Sequence, residues 1–288
     1  EYVTVAQLLE KGVDGNTYLV DGIVIALAGT GESAHGVEVV IYDTASGKIV
    51  GITGMCSGGT LNMDAYANGF AVGQRIRVPV KLVNYEYKAG YSDNGKIYAE
   101  YAGGTLYATA VIENKANYTI DLTNAVEVSS QSDLEALLGT TNRKDNFYKI
   151  IKLNKTFQVR RYKTSYFYVG YSGDASPAKI DGARPAFQVG NNFYSLGSTD
   201  ALAKLLVDDA SWTATGVNKN VEKDVYVLFI GGNNYYHQFI ILDESWIVGG
   251  RQVTGTEFKA PDKTEYYVGE ELDLTGAKIT YTYNSGEP

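Results

Sequence analysis

The chain has 288 residues, 25 Lys+Arg against 33 Asp+Glu for a formal net charge of −8, and is 44% hydrophobic. That length suggests two domains with room for substantial cores, and the balance is that of globular material, neither disordered nor coiled-coil. One Cys and two His exclude a disulfide framework and multi-cysteine metal sites and leave little for histidine chemistry, whereas 24 Tyr beside 9 Phe and 2 Trp favour a tyrosine-lined binding surface.

Residues 3–11 place Val5, Leu8 and Leu9 at helical spacing with Gly12 as the stop. The pattern then changes to strands. Residues 17–28 are rich in aliphatic and β-branched side chains, and 37–43 with 48–53 read as a hairpin across Ala45-Ser46-Gly47. A glycine-rich connector over 54–73 leads to a strongly alternating strand. Its inner face carries Ile76, Val78, Val80 and Leu82, and its outer register holds Arg75, Arg77, Lys81, Tyr85 and Tyr87. A long hairpin follows, with Leu106, Ala108 and Ala110 alternating inward on its return. Helix, three strands, connector and two strands are the element count of an OB-fold, a small five-stranded barrel.

The apolar pattern relaxes over 113–130, a predicted boundary. Ser132 to Leu138 then reads as a second short helix with a capping box from Ser132 to Glu135. Strand-like runs follow at 147–153, 157–170, 186–196, 224–230, 235–242 and 245–248, with a helix over 199–207. The predicted fold is mainly β, with two tandem OB-like β-barrel modules over 1–125 and 126–250; one larger β-sandwich is the alternative. No apolar run approaches about 18 residues, so no membrane insertion is predicted. The start at Glu1, without Met or a signal-like stretch, reads as a processed or excised piece.

The last segment, 251–288, has a character of its own. Tyr267-Val268-Gly269-Glu270, Leu272-Asp273-Leu274, Gly276, and Ile279 to Tyr283 before Asn284-Ser285-Gly286 resemble the first half of a bacterial immunoglobulin-like domain of group 3. That resemblance implies a truncated stalk domain and an extracellular, surface-displayed, multi-module bacterial protein. The first module resembles more loosely the OB-like domains of such proteins, through Val3 to Gly12, Val20 to Val24 and Gly73 to Glu86.

The candidate binding site is the stretch 84–104, which holds Tyr85, Tyr87, Tyr91, Tyr98 and Tyr101 around a turn at Ser92-Asp93-Asn94-Gly95. It lies between the fourth and fifth predicted strands, where OB-folds bind ligands. A tyrosine offers a flat apolar face for a sugar ring and a hydroxyl for hydrogen bonds, with only two torsions to immobilise. Asp93 and Asn94 would bond sugar hydroxyls. Trp212, among polar neighbours, is a further candidate platform. A second aromatic group comprises Tyr162, Tyr166, Phe167, Tyr168 and Tyr171, and a third is Tyr235-Tyr236 beside His237. Strand propensity alone would also explain many of these tyrosines.

Residues 143–163 hold eight basic residues against Asp145 alone. Interleaved with Phe147, Tyr148, Phe157 and Tyr162, they have the composition of a single-stranded nucleic-acid groove, or of an outward-facing solubilising edge. The overall acidity argues against nucleic acid. Catalysis finds little support: the adjacent pairs Asp208-Asp209 and Asp243-Glu244 point to opposite faces if extended, Cys56 has no evident base, and His35 and His237 read as loop and strand residues. No catalytic residue, metal or cofactor is predicted. The expected function is non-catalytic binding of a polysaccharide or oligosaccharide, with a glucan such as starch as first guess, beside neighbouring domains of the same secreted protein. The alternatives are an architectural spacer or adhesion module and an accessory nucleic-acid-binding region of a secreted nuclease.

Overall fold

The computed structural model describes residues 2–29, 37–54, 72–85, 94–102, 110–162, 166–171, 173, 177–188, 203, 205–208, 212, 215–232, 234–242 and 253–283. The chain is mainly β. It divides into two compact units, one of residues 1–117 and 121–242 and one of 118–120 and 243–288.

The larger unit begins with β1 (Tyr2–Thr4) and α1 (Val5–Lys11). Thr4 caps the helix: its hydroxyl accepts from the Gln7 backbone N–H at 3.2 Å, and the Gln7 side chain accepts from the Thr4 N–H at 2.9 Å. This reciprocal cap, with Gly12 at positive φ beyond the last turn, holds a helix too short to be stable by propensity alone. Val5 and Leu8 are buried.

Five strands then close a ring: β2 (Tyr18–Gly29), β3 (Val37–Tyr42), β4 (Ile49–Thr53), β5 (Arg75–Asn84) and β6 (Ile97–Tyr101). The order around it is β2-β3-β4-β6-β5, and β5 returns to β2. Only the β4–β6 contact in the ring is parallel. β2 closes the barrel because its first half pairs with β5 and its second half with β3, across an irregularity near Val24 and Ala26. The alternation read from β5 holds: Ile76, Val78 and Val80 are fully buried, and Leu82 nearly so, in a core with Val20, Val39, Ile41, Val50 and Ile52. β7 (Ala110–Glu113) pairs with β5 outside the ring.

One expectation changes here. The fifth ring strand is β6, within the stretch read as a loop. Of the return strand expected through Leu106, Ala108 and Ala110, the first two lie outside the described residues, and Ala110 opens β7, which pairs antiparallel with β5.

The second half of this unit is an open eight-stranded sheet. Its strands are β8 (Val126–Val128), β9 (Ile150–Leu153), β10 (Phe157–Tyr162), β11 (Tyr166–Gly170), β12 (Arg184–Gln188), β13 (Asn218–Val221), β14 (Val225–Gly232) and β15 (Tyr236–Ile241). The order is β13-β10-β11-β12-β15-β14-β9-β8. The long run 157–170 is thus a hairpin of two strands. Five fully buried phenylalanines, Phe157, Phe167, Phe187, Phe229 and Phe239, fill its core. Each contributes roughly 1.5–3 kcal/mol of apolar burial. Helix α2 (Gln131–Leu138) buries Leu134, Leu137 and Leu138. Its cap is Ser130, which accepts from the Asp133 N–H, two residues earlier than the sequence reading placed it. Of the helix expected over 199–207, residues 203 and 205–207 are described and helical.

The smaller unit contains an antiparallel pair, β16 (Val253–Lys259) and β17 (Lys278–Tyr283). Phe258, Tyr267, Leu272, Leu274 and Ile279 are all more than half exposed in it.

Candidate functional site

The hairpin between β5 and β6 does not gather its described tyrosines on one open face. The Tyr85 N–H donates to the Lys96 carbonyl at 2.8 Å, so the strands remain paired to that point, and Asn94-Gly95 forms the turn before Lys96. Tyr85 and Asn94 are half-buried. Tyr98 is only 7% exposed, and its hydroxyl donates to Glu100 at 3.4 Å. Tyr101 packs against the barrel core. Strand formation over 97–101 is the reason: these side chains became ring-strand residues, and Tyr98 and Tyr101 are not the exposed platforms expected. Tyr87, Tyr91 and Asp93 lie outside the described residues.

The base of this hairpin is fastened to the second sheet. Lys96 is 5% exposed and Glu38 on β3 is 1% exposed. The Lys96 ammonium donates to Glu38 Oε2 at 2.9 Å and to the Ile230 carbonyl on β14 at 2.5 Å. It also lies 5.0 Å from the ring centre of Tyr148. Gly51 on β4 leaves room for this group: a Cβ there would stand 1.9 Å from Glu38 Oε1 and 2.5 Å from the Tyr148 hydroxyl. In the sequence Lys96 simply follows the Asn94-Gly95 turn, and no local pattern marks it as buried.

Trp212 is a second correction. It is 4% exposed, with its ring edge-on to Phe167 at 5.4 Å. Its carbonyl accepts from the buried Arg161 guanidinium, and the Lys219 ammonium lies 5.0 Å over its ring. Trp212 closes one end of the phenylalanine core and cannot present a face to a ligand. The basic run is dispersed in the same way. Arg143 and Arg161 are buried, and Lys152 pairs with Asp224 at 3.1 Å and Glu127 at 3.6 Å.

The aromatic groups that do meet are the second and third. Tyr162 on β10 stacks on Tyr168 of β11 at 5.1 Å and 25°, and Tyr168 stacks on Tyr236 of β15 at 6.1 Å and 27°. Tyr235 continues the series at 6.2 Å. Three sheet contacts assemble it: the β10–β11 hairpin, the antiparallel β11–β12 pairing and the parallel β12–β15 pairing that sets Arg184 opposite Tyr236. The end rings are exposed, Tyr235 at 64% and Tyr162 at 40%, while Tyr168 between its neighbours is buried. The Arg184 guanidinium lies 5.4 Å over the Tyr168 ring and donates to the Pro177 carbonyl at 3.2 Å. Alternation along β10 puts Gln158, Arg160 and Tyr162 on the outer face and buries Phe157, Val159 and Arg161. Gln158 donates to Asn220 at 3.3 Å and Arg160 to Asn218 at 3.2 Å on the neighbouring β13. Aromatic faces at the ends, with amide and guanidinium groups beside them, suit a polar ligand with flat apolar patches.

Behind this face His237 is fully buried, and its Nε2 lies 2.7 Å from the Ile180 carbonyl, a donor geometry for the neutral ring. Burial pushes its pKa down to about 4. It is a core histidine and not a titrating surface group. Among the described residues no His, Cys, Asp and Glu group is arranged to hold a metal ion.

In the smaller unit, the β16–β17 pair frames the Tyr267-Val268-Gly269-Glu270 turn, where Glu270 accepts from the Tyr267 N–H at 3.0 Å and from Lys263 at 2.9 Å. Residues 259–288 match the bacterial Ig-like domain, group 3. No curated protein matches the chain. Among solved structures, one assigned as an aspartyl-tRNA synthetase from Leishmania major Friedlin is similar at 14% identity and a TM-score of 0.29. That similarity covers 40% of this chain and 21% of the other, and at that level it carries no argument about function. No helix among the described residues is long and apolar enough to cross a membrane.

Proposed function

We propose that the chain is a non-catalytic carbohydrate-binding region of a secreted bacterial surface protein. The observation that carries this reading is the row Tyr162–Tyr168–Tyr236–Tyr235, with both end rings exposed beside amide and guanidinium groups. Sugar rings would lie against the exposed parts of Tyr162 and Tyr235, with hydroxyls bonded by Gln158 and the neighbouring asparagines. The row replaces the β5–β6 hairpin as the principal platform. The ring order of the first module, with its one parallel contact, supports an OB-like barrel. The group 3 Ig-like segment supports a place on the outside of a bacterial cell. A starch-type glucan is the first polysaccharide to try, on the resemblance to multi-module surface proteins.

Affinity electrophoresis through gels containing soluble polysaccharides tests the reading. At least one polysaccharide should retard the protein, and Tyr162→Ala with Tyr235→Ala should abolish the retardation while the far-UV spectrum and melting temperature stay near wild type. Free migration across a broad panel would remove the carbohydrate reading. It would favour the second one, an architectural spacer, for which the bond from Lys96 to Ile230 between the barrel and the second sheet is the supporting feature.

A further inference from the structure

The face that carries the tyrosine row also has the means to sort polysaccharides by charge. Five neighbouring strands, β13, β10, β11, β12 and β15, contain no Asp or Glu, in a chain that has 33 of them. Their outward residues include Arg160, bonded to Asn218 at 3.2 Å, and Arg184, whose guanidinium sits 5.4 Å over the Tyr168 ring. A positive charge therefore lies within the tyrosine row and a second lies on the strand that carries Tyr162. Guanidinium groups stay charged at any accessible pH and bind carboxylates through two parallel hydrogen bonds. Three other cations of the basic run do not extend this patch: Arg143 and Arg161 are buried and Lys152 is held by Asp224 and Glu127.

Resting on the carbohydrate-binding reading, we infer that this face prefers a polysaccharide bearing carboxylates, a uronic-acid chain, over a neutral chain of the same length. Stacking on Tyr162 and Tyr235 serves both kinds of chain. Arg160 and Arg184 add charge-assisted bonds only to the acidic one. A nucleic acid is the competing polyanion; a net charge of −8 repels either kind of chain at long range, so a direct comparison of the two decides between them.

The test compares polygalacturonate, amylopectin and a single-stranded oligo(dT) in affinity electrophoresis of the whole chain. Polygalacturonate should bind about tenfold more tightly than amylopectin at low ionic strength, one 1.4 kcal/mol step. That excess should vanish near ~1 M salt, where charges are screened within about 3 Å, and in Arg160→Gln with Arg184→Gln. Amylopectin retardation should fall far less in the Gln variant than polygalacturonate retardation does. Equal retardation by the two glycans overturns the charge preference and leaves the carbohydrate reading standing. Free migration through both overturns the charge preference, and free migration across the broad panel as well overturns the carbohydrate reading with it. Tighter binding of oligo(dT) than of polygalacturonate replaces the inference with a nucleic-acid surface. Loss of amylopectin retardation in the Gln variant shows that the arginines hold the row in shape and do not select the ligand.

Discussion

Lys96→Met removes the ammonium that joins the barrel to the second sheet. Glu38, 1% exposed, is left with a buried carboxylate and no counter-charge, and its Oε1 already lacks a hydrogen-bond partner. Breaking a buried pair from one side costs about 3–5 kcal/mol. The Ile230 carbonyl also loses its side-chain donor, at roughly 1 kcal/mol. Packing of the methionine recovers part of this, so a net loss of about 4 kcal/mol is expected, a large share of the ~5–15 kcal/mol typical of a domain. Glu38→Leu with Lys96→Met removes both charges at once and should be far less destabilised than Lys96→Met alone, because a hydrophobic pair at such a place is often neutral. Urea unfolding followed by fluorescence and far-UV circular dichroism measures both, with coincidence of the two probes checking two-state behaviour. A loss below about 1 kcal/mol in Lys96→Met, or a double variant weaker than the single, would refute the reasoning.

Gly51→Ala should cost about 1–3 kcal/mol in the same unfolding assay, because the new methyl falls 1.9 Å from Glu38 Oε1 and 2.5 Å from the Tyr148 hydroxyl, and the increment due to Gly51→Ala should be smaller when it is measured in a Glu38→Ala background. Trp212→Ala should cost about 3–5 kcal/mol as a core truncation, while Trp212→Phe leaves glycan retardation unchanged. Stability should fall on acidification from pH 6.5 towards 4 by up to about 1.4 kcal/mol per pH unit from His237 alone. Over that window the unfolded chain takes up a proton that burial denies the folded one, so stability present above 6.5 is lost as the pH falls through about 4. A pH series of unfolding curves should be flatter in His237→Gln, and an unchanged slope would contradict this assignment.

The barrel was legible because its signals are local. The alternation Ile76, Val78, Val80, Leu82 needs only a period of two, and the turn at Ala45-Ser46-Gly47 marks its own hairpin. β6 was hidden because its residues, Ile97 to Tyr101, mix tyrosine, glutamate and alanine and read as ligand-loop chemistry. Ring closure decided their role, and closure is a non-local property. Trp212 misled for a related reason. Its polar sequence neighbours say nothing of Phe167 and Arg161, which are brought to it from strands some fifty residues away. The tyrosines of the row were visible as two separate groups. What joins Tyr168 to Tyr236 is β12, which pairs with β11 on one side and in parallel with β15 on the other, the latter a contact between strands about fifty residues apart that no local pattern announces.

The most direct test of the account is a titration of the tightest-binding soluble glycan from the panel against wild type and the Tyr162→Ala, Tyr235→Ala variant. Loss of both open rings should weaken binding at least about tenfold, the equivalent of one 1.4 kcal/mol step, with unfolding free energy close to that of wild type. Equal affinity in the two folded proteins would place binding elsewhere and contradict the claim that the tyrosine row is the carbohydrate platform.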